Sequence, residues 1–232
     1  MLPELITSSY GKKYRDELAV ISLTSWKARI NTVSKTIYNL FTVCPGFHIC
    51  LVLAEDEFPR KEAELPKHLI MMANANMCEI LWVKQNWKSF KKWLFTAQKY
   101  QDIPIISADD DCIYHCNYAS LLYEQLSSTD PIIVTNRGNY STPIKVTRGP
   151  DTLFYKFPVE YALSKLISFK EPINNFNDDA YYATIINLLN LKVVDLNLPP
   201  FYHCHDAANA LSESQQYDII QDSLYFTRVL CL

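Results

Sequence analysis

Short apolar runs alternate with amphipathic stretches along most of the chain. This alternation predicts βαβ units, in which buried strands form a mostly parallel central sheet flanked by helices. The apolar runs predict strands at residues 18–24, 48–54, 79–83, 104–108, 131–135 and 192–196. Helical periodicity and stop signals predict helices at residues 31–43, 86–100, 118–128, 158–169 and 178–189. The pattern therefore indicates the α/β class.

Two of the predicted helices have an inward and an outward face. In the helix at 31–43, the inward side chains are Val33, Ile37, Leu40 and Phe41. In the helix at 86–100, we expect an inward face made of Trp87, Phe90, Leu94 and Ala97. The surface of the same helix should carry Lys88, Lys91, Lys92 and Lys99.

The second half of the chain is less regular. Residues 136–156 mix turn residues with tyrosine and arginine, so we expect a surface loop or an irregular hairpin there. The tail from Ser212 is predicted to be helical, because Ser212 and Gln215 are placed for a capping box. Without an internal repeat or a linker, residues 1–232 are best described as one domain.

The composition excludes some function classes. Hydrophobic residues make up 49% of the 232 residues, and the formal net charge is −3. We expect no nucleic-acid partner, because such proteins carry a basic surplus against the phosphates. The closest two of the four glycines, Gly138 and Gly149, are eleven residues apart. Neither G-x-G-x-x-G nor a Walker A loop fits that spacing, so any nucleotide must be held by other means.

The seven cysteines, at positions 44, 50, 78, 112, 116, 204 and 231, are an odd number at irregular spacing. This pattern favours reduced thiols over a disulfide framework. The first residues lack a basic region followed by an apolar stretch, and no apolar run approaches the ~18 residues of a membrane span. We therefore expect a cytoplasmic protein with no transmembrane segment.

The apolar run at 104–108 leads into three consecutive carboxylates, Asp109, Asp110 and Asp111. The carboxyl ends of strands are where α/β sheets bind ligands. Alternate side chains share a face in extended chain, so Asp109 and Asp111 would approach one ion together. Such hard oxygen donors suit Mg²⁺ or Mn²⁺. The alternative is a solvated acidic turn that caps the next helix.

With its flanking motifs, this triplet resembles the D-x-D element of GT-A-fold glycosyltransferases. The shared motifs are residues 21–26 with Arg29, residues 55–59, Lys91 with Lys92, and residues 107–111. More narrowly, residues 18–195 are similar to small bacterial enzymes of polysaccharide clusters, related to the large inverting family of nucleotide-sugar transferases. The resemblance implies one Rossmann-like GT-A domain. Its nucleotide- and metal-binding half would lie at about 18–135 and its acceptor-side half at about 136–232.

The resemblance also implies which residues meet the donor, for which a UDP-sugar is the first choice. Asp109 and Asp111 would hold the metal ion on the diphosphate, with Asp110 between them in the donor site. Thr24 and Ser25 would lie beside the uracil or ribose, unless they are only the turn after a strand. The candidate cations for the diphosphate are Arg29, Lys91, Lys92 and Arg148. For the lysines, the alternative is a solvated helix face.

A second acidic motif starts the predicted helix at 178–189. Asn177 is a natural N-cap, which places Asp178 and Asp179 in the first helical turn, where the helix dipole keeps a carboxylate ionised. The resemblance implies that one of them, with Asp179 preferred, deprotonates the acceptor hydroxyl. The alternative is ordinary stabilisation of a helix N-terminus.

The cluster His203-Cys204-His205-Asp206, late in the chain, supplies the last candidates. The resemblance implies His203 or His205 as a third metal ligand, whereas a structural role for each histidine is the alternative. A zinc site is a further alternative, combining this cluster with Cys112, His115 and Cys116, although the spacing is not that of a standard zinc knuckle.

Together these features predict a metal-dependent glycosyltransferase that moves a sugar from a nucleotide-sugar donor to a hydroxyl on a glycan or lipid-linked acceptor, with inversion. Peripheral contact with a membrane is compatible with such an acceptor. The alternatives are a sugar-phosphate nucleotidyltransferase and a non-catalytic zinc- or carbohydrate-binding module. Sugar-phosphate nucleotidyltransferases usually carry a glycine-rich, basic signature after the first strand, whereas this chain has Thr-Ser-Trp-Lys-Ala-Arg at 24–29.

Overall fold

The computed structural model describes residues 5–126, 132–136, 151–168, 177–204 and 226–227. The strands are β1 (Ile6–Gly11), β2 (Val20–Thr24), β3 (His48–Ala54), β4 (Glu79–Val83), β5 (Ile105–Ser107), β6 (Cys112–Tyr114), β7 (Ile132–Thr135), β8 (Thr152–Tyr155), β9 (Lys192–Asp195) and β10 (Tyr202–Cys204). The helices are α1 (Val33–Val43), α2 (Lys67–Asn74), α3 (Lys91–Lys99), α4 (Tyr118–Tyr123), α5 (Val159–Ser168) and α6 (Asp178–Leu188), with short 3-10 turns at Lys61–Glu64 and Lys88–Phe90. No helix in these described ranges is long and apolar enough to cross a membrane.

Eight strands form one sheet in the order β1-β4-β3-β2-β5-β8-β7-β9, while β6 and β10 form a separate antiparallel ribbon. β4, β3, β2 and β5 are parallel neighbours, and β9 is parallel to β7. β1 and β8 run the opposite way. The mostly parallel sheet confirms the predicted α/β class, and it brings the carboxyl ends of β2, β3 and β5 to one edge.

The central strands are buried on both faces of the sheet. In β2, Ile21 and Leu23 enter one apolar core and Val20 enters the other, as the two-residue period of a strand requires. Helices α1, α2 and α4 contribute to the first core, and α3, α5 and α6 contribute to the second. In the second core, Trp93 stacks on Phe154 with ring centroids 4.0 Å apart. Because helices cover both faces, these strands read as continuous apolar runs.

Gly11 ends β1 at a position where no side chain fits. Its φ is +89°, and it pairs with Glu79 of β4. A Cβ atom built there would lie 2.8 Å from the carbonyl oxygen of Cys78 and 2.9 Å from the Cβ of Ala73. This glycine therefore serves the close packing of the edge strand.

Two expectations about helix faces are wrong. Phe41 was expected inward but is 42% exposed, and Thr36 is among the buried residues of α1 instead. Lys91 and Lys92 were expected on the surface but are 1% and 7% exposed. Both lysines lie in the first turn of α3 and point into the protein, where carboxylates neutralise their charge.

The expectation of a surface loop or irregular hairpin at 136–156 is also wrong in part. Residues 152–155 form β8, a largely buried strand that pairs with both β5 and β7. Residues 137–150 lie outside the described residues, as does the predicted helix from Ser212 apart from residues 226–227. The sequence pattern also does not predict β1, α2, β6 and β10, most of which are short or partly exposed.

A polar cluster holds the amino edge of the sheet together. Glu79, at the start of β4, is within 3.0 Å of the Nε2 of His48, accepts a hydrogen bond of 2.5 Å from the hydroxyl of Tyr100, and forms an ion pair with Lys99. Burial alone would raise the pKa of Glu79, but the hydrogen bonds from these three groups outweigh burial and lower the pKa to about 2.

We predict that Glu79→Gln lowers the free energy of unfolding by about 2–3 kcal/mol at pH 7. Because folding lowers this pKa, the stabilisation is fully present above the reference value of 4.5 and is lost as the pH falls towards about 2. Urea unfolding at pH 7 and pH 3 should therefore show a smaller difference between variant and wild type at pH 3. The control is Glu64→Gln, whose partner Arg60 is largely exposed and which should cost less than about 1 kcal/mol. An equal difference at both pH values for Glu79→Gln would contradict this account.

Candidate active site

The three aspartates lie in the loop between β5 and β6, at the carboxyl edge of the sheet. The amide of Ala108 still donates to the carbonyl of Ser22, so the loop leaves the sheet directly beside the end of β2. The hydroxyl of Thr36 in α1 lies 2.9 Å from the carbonyl oxygens of both Asp110 and Cys112. The main chain on both sides of Asp111 is thus fixed by helix α1.

Asp110 points into the protein. One carboxylate oxygen accepts a hydrogen bond of 2.6 Å from the Ser25 hydroxyl, and the other lies 2.5 Å from the guanidinium of Arg29. Burial raises the pKa of Asp110 to about 6, against the opposing effects of Arg29 and Ser25. The residue predicted to lie in the donor site between the metal ligands is therefore an interior anchor of the loop.

Arg29 links two of the three aspartates. Besides Asp110, its guanidinium contacts a carboxylate oxygen of Asp111 at 3.1 Å, and the whole side chain is buried. The sequence predicted that Arg29 meets a diphosphate. In the structure its charge is directed at the acidic loop, where it offsets the repulsion between adjacent carboxylates.

Asp109 faces a different cation. The ammonium group of Lys92 lies 2.8 Å from Asp109 and 3.9 Å from Asp178 at the start of α6. Burial alone would lower the pKa of Lys92, but the charges of Asp109, Asp178 and Asp179 outweigh burial and raise it. Lys92 is therefore the point at which the Asp triplet and the acidic helix start come together.

The start of α6 has the predicted cap. The side chain of Asn177 accepts a hydrogen bond of 3.2 Å from the amide of Ala180, which places Asp178 and Asp179 in the first turn. Asp178 is buried beside Lys92, whereas Asp179 is only partly buried. The two neighbouring carboxylates thus have different access to solvent.

The remaining predicted donor residues lie in several places. The hydroxyl of Thr24 donates to the carbonyl of Val52 in β3. The ammonium group of Lys91 contacts Glu57 at 3.3 Å and Asn86 at 2.5 Å, so it is directed at the neighbouring loops rather than at Asp109. Arg148 lies outside the described residues.

The ribbon of β6 and β10 brings a late segment of the chain beside Asp111. His203 is exposed and pairs with Ile113, and its ring lies 6.2 Å from that of His115. His205 lies outside the described residues. In the described part of the chain, the group of possible metal-binding side chains within reach of one another is Asp111, Cys112 and Cys204, whose ligand atoms all lie within 4.8 Å. This set shares only Cys112 and Cys204 with the zinc site that the sequence suggested.

Two tyrosines that the sequence did not indicate bind the main chain at the start of the loop. The amide of Asp109 donates to the hydroxyl of Tyr114 at 2.7 Å, and the hydroxyl of Tyr118 donates to the carbonyl of Ser107 at 2.5 Å. Both side chains are buried. The run 112–118 contains both tyrosines, but no local pattern shows that their hydroxyls contact the end of β5 and the loop after it.

The carboxylates of Asp109, which is partly exposed, and Asp111, which is buried, fit a hard divalent cation by their chemistry. Both carboxylate oxygens of Asp110 contact interior groups, whereas about a third of the Asp109 side chain is exposed, at 34%. Burial and then the negative charge of Asp109 raise the pKa of Asp111, as expected for two neighbouring carboxylates that repel one another. A divalent cation relieves such repulsion, and carboxylate oxygens are the ligands that Mg²⁺ and Mn²⁺ prefer.

No protein-family model matches this sequence, and no curated protein matches it. Among solved structures, the mannosyltransferase PcManGT from Pyrobaculum calidifontis, in complex with GDP-Man and Mn²⁺, aligns over 82% of this chain and 56% of its own, with 14% identity and a TM-score of 0.50. The glycosyltransferase GlyE of Streptococcus pneumoniae TIGR4 aligns over 78% of this chain and 46% of its own, with 14% identity and a TM-score of 0.49. A putative glucose-1-phosphate thymidylyltransferase from Bacillus anthracis, in complex with a sucrose, aligns over 90% of this chain and 95% of its own, with 8% identity and a TM-score of 0.46.

The likeness to PcManGT is one of fold, and it confirms the predicted GT-A-like domain. This chain spans about half the length of GlyE and PcManGT. The similarities to GlyE and to the thymidylyltransferase, with TM-scores below 0.5, are too weak to support a conclusion about this chain.

We predict that Arg29→Ala lowers the free energy of unfolding by about 3–5 kcal/mol, because it leaves Asp110 buried without its cation. Chemical unfolding measures this cost. The matched control is Lys27→Ala two residues away, where the side chain is exposed and the change should stay within about 0.5 kcal/mol. Equal stability of the two variants would show that Arg29 does not hold the loop.

Proposed function

We propose that this protein is a metal-dependent glycosyltransferase, which moves a sugar from a nucleotide-sugar donor to a hydroxyl group with inversion. The observation that carries the proposal is the convergence of the Asp109–Asp111 loop and the start of α6 on Lys92. This arrangement joins a cation-binding edge to a second pair of carboxylates, which a transfer between donor and acceptor requires. The GT-A-like fold supports the proposal.

Asp109 and Asp111 are the residues that would hold Mn²⁺ or Mg²⁺. When bound, the ion would supply positive charge to neutralise the leaving diphosphate. Asp110, Arg29 and Ser25 contribute by fixing the main chain of the loop that carries Asp109 and Asp111. His203 and His205 stay candidates for a third ligand, and Arg148 and Lys91 for further positive charge.

The donor site would extend along the ends of β2 and β3. Thr24 and Ser25 lie at the end of β2 and would contact the base or ribose, with UDP as our first choice of nucleotide. The acceptor would be a hydroxyl of a glycan or of a lipid-linked sugar in polysaccharide biosynthesis, in the cytoplasm.

Asp179 is our proposed base for the acceptor hydroxyl. It is the less buried of the two aspartates, whereas Asp178 is buried with a carboxylate oxygen 3.9 Å from the Lys92 ammonium group and is therefore less accessible to an acceptor. The positive end of α6 keeps Asp179 ionised, as a base must be. As the acceptor oxygen attacks the anomeric carbon, its proton would pass to the Asp179 carboxylate.

We expect Asp111→Asn to weaken Mn²⁺-dependent binding of UDP or GDP by about 100-fold or more. Even groups that only support metal ligands are worth about 10- to 100-fold, and a ligand is worth at least as much. Isothermal titration with and without Mn²⁺ measures the effect. The control is Asp102→Asn, an exposed aspartate just before β5 at the other edge of the sheet, which should bind as wild type does. Unchanged binding by Asp111→Asn would refute the metal assignment.

The two aspartates of α6 should respond differently to replacement by asparagine. Asp179→Asn should reduce turnover by about 10²- to 10⁴-fold with little change in nucleotide affinity, because it removes only the proton acceptor. Asp178→Asn should mainly lower the melting temperature, because it removes a buried partner of Lys92. Sugar transfer, nucleotide affinity and thermal unfolding are measured on both variants. Normal turnover by Asp179→Asn would place the base elsewhere.

A further inference from the structure

The register of the small ribbon places two cysteines directly opposite one another. Cys112 of β6 faces Cys204 of β10, and Tyr114 faces Tyr202 in the same ladder. The amide of His115 donates to the carbonyl of Phe201, its opposite residue, so this pair is hydrogen-bonded. Because the two kinds of pair alternate along an antiparallel ladder, Cys112 and Cys204 form a non-hydrogen-bonded pair. Such pairs have Cα atoms about 4.5 Å apart, within the span of a disulfide at about 4.4–6.8 Å.

The two sulfur atoms are already in contact, at 3.5 Å. Cys204 is exposed to solvent, whereas Cys112 is fully buried behind it. One thiol is thus accessible to a small oxidant, and the second is held where it can attack the oxidised first. This is the spatial placement of an exposed cysteine beside a resolving partner.

We propose that Cys112 and Cys204 form a reversible disulfide that cross-links β6 to β10 beside Asp111. A hydroperoxide is the oxidant. The Cys204 sulfur attacks one peroxide oxygen and breaks the O–O bond, which gives a sulfenic acid and releases water. The Cys112 sulfur then attacks the Cys204 sulfur, its proton joins the departing hydroxide, and a second water leaves. Two thiols and one hydrogen peroxide thus give one disulfide and two waters, and a dithiol reductant reverses the change.

This site goes beyond the proposed sugar transfer, and its formation does not depend on that activity. It does change the acidic loop, because the Cys112 thiol contacts a carboxylate oxygen of Asp111 at 3.6 Å. Oxidation removes the thiol hydrogen and ties the chain after Asp111 to a strand 92 residues away in sequence.

Zinc is the competing occupant of the same atoms, since Asp111, Cys112 and Cys204 place three donors within 4.8 Å of one another. A zinc ion would hold both sulfurs as thiolates and prevent the disulfide. The exposed and buried placement of the two sulfurs, in a pair with disulfide spacing, favours the cross-link.

The test uses the full chain, reduced, freed of chelatable metal and then treated with hydrogen peroxide at a few equivalents. Remaining thiols are alkylated, and non-reducing peptide mapping by mass spectrometry locates any cross-link. We expect the peptides containing Cys112 and Cys204 to be joined in most molecules, with the two thiols regained after dithiothreitol. Zinc content of the protein as purified is measured alongside.

Matched variants distinguish this pair from general oxidation. Cys204→Ser changes an exposed side chain and should abolish the cross-link, whereas Cys116→Ser, at another exposed cysteine close to β6, should leave it intact. Cross-linking of Cys112 or Cys204 mainly to other cysteines, oxidation of Cys204 to sulfinic acid without a cross-link, or stoichiometric zinc retained against a chelator would each overturn the proposal.

Discussion

The buried ion pair between Arg29 and Asp110 is the interaction on which the site depends. Three consecutive carboxylates at the end of one strand repel one another, and an isolated buried carboxylate is costly. Arg29 and Ser25 bind the middle carboxylate from inside, and Arg29 also contacts Asp111. The middle carboxylate thereby anchors the loop in the interior, between two flanking carboxylates at the carboxyl edge of the sheet.

Lys92 provides the second constraint, because it connects parts of the chain that are far apart in sequence. Its ammonium group is buried between Asp109, which follows β5, and Asp178, which begins α6. Lys92 and Asp178 are buried, so neither of these two charges would be stable there alone, and their mutual neutralisation holds the segments together. The result is a surface on which a donor-side loop and an acceptor-side helix have a fixed relation, as we propose for sugar transfer.

The sheet could be predicted from the sequence because its central strands are buried on both faces and read as uninterrupted apolar runs. The N-cap Asn177 could also be predicted, because a helix cap depends only on neighbouring residues. The burial of Lys91 and Lys92 could not be predicted, because the helix pattern shows only that these positions are charged. The carboxylates that neutralise them, Glu57, Asp109 and Asp178, come from other parts of the chain. β8 was not predicted, because a strand of four residues is too short to show a hydrophobic period. Its antiparallel pairing with β5 and β7 depends on residues far away in the sequence.

The most direct test of the central claim is to locate manganese by its anomalous scattering, in crystals of the wild-type protein grown with Mn²⁺ and UDP. The account predicts one strong peak bonded to carboxylate oxygens of Asp109 and Asp111, with Asp110 still turned inward to Arg29. A peak held instead by Cys112 and Cys204, or nucleotide bound with no manganese at the acidic loop, would contradict it.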